Sequence, residues 1–331
     1  MTSEQPKLLI IGSVWPEPNS SAAGSRMMQL IEVFATSNYQ ITFASATADS
    51  DFAVNLSDYG IAKVSIKLNH PSFDDFVKTL NPTIVLFDRF MTEEQYGWRV
   101  SENVPQALKV LDTEDLHCLR TARQKAWKTN ASFHFTDLLQ EEVAKREIAS
   151  ILRCDLALMI STVEMEILSS IFKIEDSLLL YLPFMLDGIS KENTQNLPSF
   201  EEREHFISIG NFLHEPNWQS VLHLKNNIWP FIKKQIPKAE LHIYGAYPSA
   251  KVLQLNNKKD GFLIKGRTEN VAEVMQKAKI CLAPLLFGAG LKGKLIDAMQ
   301  NGTPNVTTNI GAEAMHKNLA WSGIIADEPE N

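Results

Sequence analysis

Cysteine is scarce: Cys118, Cys154 and Cys281 are the only three in 331 residues, odd in number and far apart. This excludes a disulfide framework and a cysteine-rich zinc site, and it suits a reducing compartment. No charged segment leads into an apolar run at the N-terminus. Residues 8–11 are apolar but too few for a signal sequence, and they read as a strand. No run approaches the roughly 18 apolar residues of a membrane-spanning helix. The expected compartment is therefore the cytoplasm. With 15 Gly and 15 Pro the chain is neither collagenous nor linker-rich. Charge of one sign is lacking too: Lys+Arg number 32 and Asp+Glu 39, a net charge of -7, which argues against a general nucleic-acid binder but leaves room for a local basic pocket. No short-period repeat is present, so a solenoid is excluded.

What is present is an ordinary globular composition, 44% apolar and 21% charged, long enough for two domains at about 150 residues each. Strands are expected at 7–12, 40–44, 64–68, 83–87, 108–111, 156–160 and 178–182, with helical spacing over 73–80, 141–152 and 163–172. The polar stretch 187–204 breaks this rhythm. A second series follows, with strands at 206–209, 241–244, 262–264, 280–283, 305–307 and 323–326, and helices over 218–234, 271–278 and 291–299. Apolar strands separated by helices indicate sheets covered on both faces. The expected fold is α/β, two doubly wound Rossmann-like domains facing across a cleft, with boundaries at 1–187, 188–204 (a linker) and 205–331.

Gly288-Ala289-Gly290-Leu291-Lys292-Gly293 matches the G-x-G-x-x-G dinucleotide fingerprint. Its setting argues otherwise: only 38 residues follow Gly293, and the next strand runs into Thr308 and Asn309 where a nicotinamide site wants an acid. Anion recognition survives, because glycines let backbone N–H groups approach a phosphate at a helix start. Lys292 and Lys294 reinforce it. Two lysines at a helix N-terminus oppose the helix dipole unless an anion compensates; the alternative is two solvated lysines on a plain turn. Asp297, about one turn further on, has the chemistry to accept two ribose hydroxyls, although a lone surface Asp is common.

The segment from Ala283 through Gly288, Gly290, Lys292, Lys294 and Asp297 to Gly302-Thr303-Pro304 resembles the donor-binding region of retaining glycosyltransferases of the GT-B fold, family four. Val306–Glu313, Gly210–Asn217, Ile243-Tyr244-Gly245 and Gly266-Arg267 extend the likeness, which covers most of 205–327. It implies that Lys292, Lys294 and the Gly288–Gly293 backbone hold the diphosphate of a nucleoside diphosphate sugar, with Asp297 on the ribose. Of the family's two glutamates separated by seven residues, the second maps onto Asp297 and the first onto Ala289, which supplies no carboxylate. The resemblance also places His214, Arg267 and Glu313 at the donor.

The first domain resembles the acceptor half of such enzymes less specifically. Gly12 opens the loop where the family brings backbone near donor phosphate, and Arg26 starts the next helix, facing either an anion or solvent. Asp88 ends a strand, at the edge where α/β domains bind ligands. Leu111–Arg120 looks like a family segment in which His117 contacts the transferred sugar, while Asp112 and Asp115 orient it or bind acceptor hydroxyls. Two rivals stand beside this: a metal held by the three acids Asp112, Glu114 and Asp115 with His117, weakened by the lack of a second His at ligand spacing, and Asp115 as a plain helix N-cap.

The resemblance implies sugar transfer with retention of configuration to a hydroxyl of an unidentified glycan, lipid-linked, protein or small-molecule acceptor. His117, Lys292 and Lys294 are the catalytic candidates, and no cofactor or metal is expected. A lipid-linked acceptor would bring peripheral membrane contact, but no stretch is basic and amphipathic enough to declare it. Two alternatives remain. One is a weak or inactive sugar-nucleotide-binding partner subunit, suggested by Ala289 and by the lack, after 323–326, of the terminal helices usual in relatives. The other is a different two-domain α/β enzyme such as a sugar-nucleotide epimerase or dehydrogenase.

Overall fold

The computed structural model describes residues 5–190 and 195–329; residues 191–194, within the expected linker, lie outside it. Two compact units divide between Met185 and Leu186, with Asn19–Ala22 grouped with the second.

The first unit is a seven-stranded sheet in the order β3-β2-β1-β4-β5-β6-β7. Its strands are β1 (Lys7–Gly12), β2 (Gln40–Ser45), β3 (Ala62–Ser65), β4 (Ile84–Asp88), β5 (Leu108–Asp112), β6 (Leu156–Met159) and β7 (Leu179–Tyr181). Every pairing is parallel. Such a sheet needs helices on both faces, supplied by α1 (Ala22–Thr36), α2 (Ser72–Leu80), α3 (Phe90–Asn103), α4 (His117–Thr129), α5 (Glu142–Arg153) and α6 (Thr162–Ser170). Leu8, Leu9, Ile10 and Ile11 of β1 are all fully buried, so both faces of the central strand are covered. Leu8 and Ile10 join Met27, Leu30 and Ile31 of α1 and Phe43 of β2 in one apolar cluster.

The second unit orders its six parallel strands β10-β9-β8-β11-β12-β13. In chain order it comprises β8 (His205–Ile209), α7 (Glu215–His223), α8 (Trp229–Gln235), β9 (Leu241–Tyr244), α9 (Ala250–Leu253), β10 (Phe262–Gly266) and α10 (Val271–Lys277). β11 (Ala278–Ala283), α11 (Gly293–Gln300), β12 (Asn305–Thr307), α12 (Asn309–Ala312) and β13 (Gly323–Ile325) complete it. Trp229, Leu241, Ile243 and Phe262 form the core on one face, and Ile207, Met275, Cys281 and Ala298 the core on the other.

Three expectations need correction. The single helix over 218–234 is two helices joined by a π-helical segment, Leu224–Ile228. Pro230, in the first turn of α8, has no N–H to continue the α-helical ladder, so the register changes there. The strand expected at 64–68 lies at Ala62–Ser65 instead. As an edge strand it buries almost nothing, and its position follows from the ladder with β2 rather than from its own hydropathy. Asp115 does not cap α4, for a reason given below.

All three cysteines are free and buried. Burial raises each thiol, Cys154 and Cys281 to about 12.

Candidate anion site and its first-unit counterpart

In each sheet the direction of winding reverses at one pair of neighbouring strands, β1 with β4 and β8 with β11. Loops at the carboxyl ends of such strands diverge and leave room for a ligand.

In the second unit, β11 runs into a loop whose side chains Leu285 and Phe287 are buried, so the backbone of 288–290 is fixed from beneath. Gly290 has φ 64°, a left-handed conformation that glycine adopts without cost. Lys292 then turns back and donates from Nζ to the carbonyls of Ala289 (3.0 Å) and Gly290. Lys292 is 9% exposed, so it clasps the loop from inside rather than extending into water. α11 begins at Gly293 with no side-chain cap and no acid in its first turn. Its leading N–H groups therefore lack the usual local carboxylate.

Lys294, half-buried in the first turn of α11, donates from Nζ to Oδ1 of Asn217 at 2.7 Å. Asn217 Nδ2 donates to the Asn211 carbonyl at 3.0 Å. This joins the loop after β8 to the loop after β11. A Cβ on Gly210 would lie 2.7 Å from the Asn217 amide, so glycine at 210 is what seats Asn217. Burial brings Lys294 down to about 8, with Cys281 opposing the shift and Lys292 adding to it. Asp297 stands three residues on, half-buried, and burial alone raises it to about 6. A cation and a carboxylate thus share one helix face, and both change charge close to neutrality.

The remaining second-unit candidates lie on other loops of the sheet. Thr307 and Thr308 donate to the carbonyls of Ala283 and Leu285 (2.7 and 2.6 Å), which brings α12 and the half-buried Glu313 at its end beside the strand β11. His214 precedes α7 and is exposed; its side chain does not cap that helix. Arg267 is half-buried and follows Gly266 at the end of β10. Gly288 and Ala289 are buried in the loop itself.

In the first unit, the ends of β1, β4 and β5 carry a buried charged cluster. Gly12 is closed over by Phe43, whose ring would lie 2.4 Å from an added Cβ. Asp88 accepts from the backbone and hydroxyl of Ser13 at 3.0 and 2.7 Å. Arg89 pairs with both Ser13 and Asp88. Its backbone, φ 69° and ψ 158°, lies in a region almost reserved for glycine, a local strain of about 1–3 kcal/mol. Arg26 and Asp112 form a 3.0 Å ion pair with no exposed side-chain surface on either partner. Arg26 Nε donates to Asp112 Oδ1 at 3.0 Å and the pair fixes β5 against α1, while Arg26 Nη2 and Asp112 Oδ2, both buried, have no hydrogen-bond partner. Glu114, expected only as one of the three acids of the rival metal site, is buried beside them with φ 61°, and burial and the nearby Asp112 hold its carboxyl well above the usual range.

His117 opens α4. Its Nε2 lies 3.5 Å from Asp115 Oδ1, and Asp115 also pairs with Arg120. Burial pushes His117 down to about 4 against the pull of Asp115, so the imidazole is neutral at pH 7. The cap of α4 comes from elsewhere: the buried Glu147 of α5 accepts from the backbone N–H groups of His117 and Cys118, each at 2.9 Å. No local signal announces this, because Glu147 lies 30 residues away on an amphipathic helix. Among the described residues, no group of three or more His, Cys, Asp or Glu is placed to hold a metal ion, and no helix is long and apolar enough to cross a membrane.

Two doubly wound parallel sheets in succession, each with its switch point at the carboxyl ends of its strands, define the GT-B fold, and solved structures of that fold are similar to this chain. The HepE protein of Anabaena, solved with UDP and glucose, superposes with a TM-score of 0.67 at 12% identity, covering 98% of this chain and 86% of that one. A glycosyltransferase from Rickettsia africae gives 0.65 at 12% identity, covering 99% and 85%. The sucrose-phosphate synthase of Thermosynechococcus elongatus gives 0.62 at 14% identity, covering 93% and 82%. Residues 203–330 match the family described as glycosyl transferases group 1. No curated protein matches the chain.

Proposed function

We propose that the protein is a retaining glycosyltransferase that moves a sugar from a nucleoside diphosphate sugar to an acceptor hydroxyl. The observation that carries this reading is the turn at 288–294. There a left-handed glycine, uncapped helix N–H groups and two lysines converge at the switch point of the second sheet, with Asp297 one turn deeper. The match of 203–330 to the glycosyl transferases group 1 family and the UDP bound to the Anabaena protein support it.

The difficult event in such a transfer is loss of a diphosphate from an anomeric carbon that becomes oxocarbenium-like. Fixed dipoles and cations act most strongly as negative charge grows on the leaving oxygen. Lys294 and the N–H groups of α11 meet that charge. Lys292 holds the loop in shape and brings its own charge beside it. Asp297 accepts ribose hydroxyls when ionised. His117, neutral, is suited to hydrogen-bond a sugar hydroxyl rather than to act as an acid, and Asp115 orients it. Asp88 supports the acceptor side through Ser13 and Arg89, while Arg26 and Asp112 act as a buried brace. Retention follows front-face attack, in which the leaving phosphate takes the acceptor proton, so no protein nucleophile is assigned.

A second reading, a sugar-nucleotide-binding subunit without turnover, is favoured by Ala289, which stands where the family resemblance implies a glutamate and whose carbonyl is occupied by Lys292. One experiment separates the two. A panel of UDP-, GDP- and ADP-sugars is screened by calorimetry and by nucleoside diphosphate release with candidate acceptors. Binding with release supports the transferase. Binding without release across the panel supports the subunit, and absence of any binding removes the donor site.

A further inference from the structure

We infer that Asn217 is a positioning residue for the diphosphate: it holds the Lys294 ammonium in register with the start of α11. This rests on the donor reading above and adds a residue to it. Asn217 touches no part of the proposed donor in this scheme and acts through Lys294.

A lysine side chain has four rotatable bonds, and one in the first turn of a helix is free to swing away from the helix N-terminus. Here Nζ is tied to Oδ1 of Asn217 at 2.7 Å. An amide oxygen is the suitable partner, because it accepts one proton without cancelling the charge and leaves two protons for phosphate oxygens. Asn217 is itself held through its side chain and its backbone. Its Nδ2 donates to the Asn211 carbonyl at 3.0 Å, and its backbone N–H donates to the His214 carbonyl at 2.9 Å. The seat exists only because residue 210 has no Cβ: one placed there would lie 2.7 Å from the amide nitrogen. Gly210 is fixed in turn by its N–H on the Tyr244 carbonyl at 3.1 Å, at the end of the neighbouring strand. A chain of contacts therefore runs from the end of β9 through Gly210 and Asn217 to the ammonium. The titratable groups whose charge acts on Lys294 are Cys281 and Lys292, and neither replaces the amide acceptor.

The test measures affinity for UDP, GDP and ADP by calorimetry between pH 6 and 9.5, with thermal unfolding as the control for folding. Asn217→Ala is expected to lose about tenfold in affinity for whichever nucleoside diphosphate binds wild type, and its alkaline limb moves to lower pH because the ammonium has lost an acceptor. Asn217→Asp keeps an acceptor and adds a charge, so its alkaline limb moves to higher pH. Gly210→Ala, which displaces the amide without removing it, should reproduce the Asn217→Ala profile. A purely structural Asn217 would lower the melting temperature without moving the limb in opposite directions in the two variants, and that result overturns the inference. Full affinity in Asn217→Ala alongside its loss in Lys294→Ala also overturns it while leaving the donor site standing. Failure of wild type to bind any of the three diphosphates overturns the donor site instead.

Discussion

At the scale of single residues, two groups in α11 set a window of pH. Lys294, brought down to about 8, is cationic below that pH and loses its charge above it. Asp297, raised to about 6, is ionised above that pH and protonated below it. In the proposed donor site, diphosphate binding needs the cation and ribose binding needs the carboxylate. Affinity for a nucleoside diphosphate should therefore be highest between about 6 and 8 and fall on either side, approaching tenfold per pH unit well beyond each limit. Calorimetry from pH 5 to 9.5 checks this. Lys294→Arg should remove the alkaline limb, since a guanidinium keeps its proton throughout. A profile with neither limb would exclude both residues from the site. The Arg26–Asp112 pair makes a different prediction. With both side chains wholly buried, Asp112→Ala strands a guanidinium and should cost about 3–5 kcal/mol in urea unfolding. The double variant Arg26→Met with Asp112→Leu should recover much of that loss, because the expense lies in the uncompensated charge. A single-variant loss below about 1 kcal/mol would show that water reaches the pair.

At the scale of elements, α4 depends on a carboxylate borrowed from α5. Glu147→Ala leaves the N–H groups of His117 and Cys118 without their acceptor and should destabilise by about 2 kcal/mol, with amide exchange at Cys118 accelerating more than exchange in β5. Glu147 is raised to about 7 from 4.5, so its contribution is fully present below about 4.5 and fades as pH climbs through 7. His117, pushed down, acts in the opposite sense between 6.5 and 4. The difference between wild type and Glu147→Gln should thus shrink as pH rises from 4.5 to 7, and a constant difference would show that the carboxylate does not titrate there. Elements differ in how readable they are for a physical reason. β1 and β9 are central or tightly bounded, and their apolar residues carry their limits. β3 is an exposed edge strand and α3 buries Thr92 and Glu93, so hydropathy misplaces the first and conceals the second. Glu93 is buried because Arg153 of α5 pairs with it, a partner 60 residues away that no local pattern records.

At the scale of the whole chain, Lys292, Lys294 and Asp297, proposed at the diphosphate and ribose, all belong to the second unit, whereas Gly12 and Arg26 lie in the first. A chain spanning 186–331 should therefore fold alone and bind a nucleoside diphosphate within about tenfold of the full protein, by calorimetry. Loss of binding in a well-folded fragment would show that the first unit supplies part of the donor site. The anion turn was legible because its glycines, lysines and acid are consecutive, so spacing alone brings them together. The first-unit cluster was legible only in part: its aspartates, Arg26 and His117 stood out, and Glu147 did not. Its pairings, Arg26 with Asp112 and Glu147 with the start of α4, join strands and helices far apart in sequence, and only the fold decides which acid meets which base. The three hidden thiols carry one last consequence. Cys118 and Cys154 lie in the first unit and Cys281 in the second, each inert to an alkylating reagent until its surroundings part. Mapping which cysteine takes up a maleimide under native conditions would time the breathing of each sheet separately, with no engineered probe.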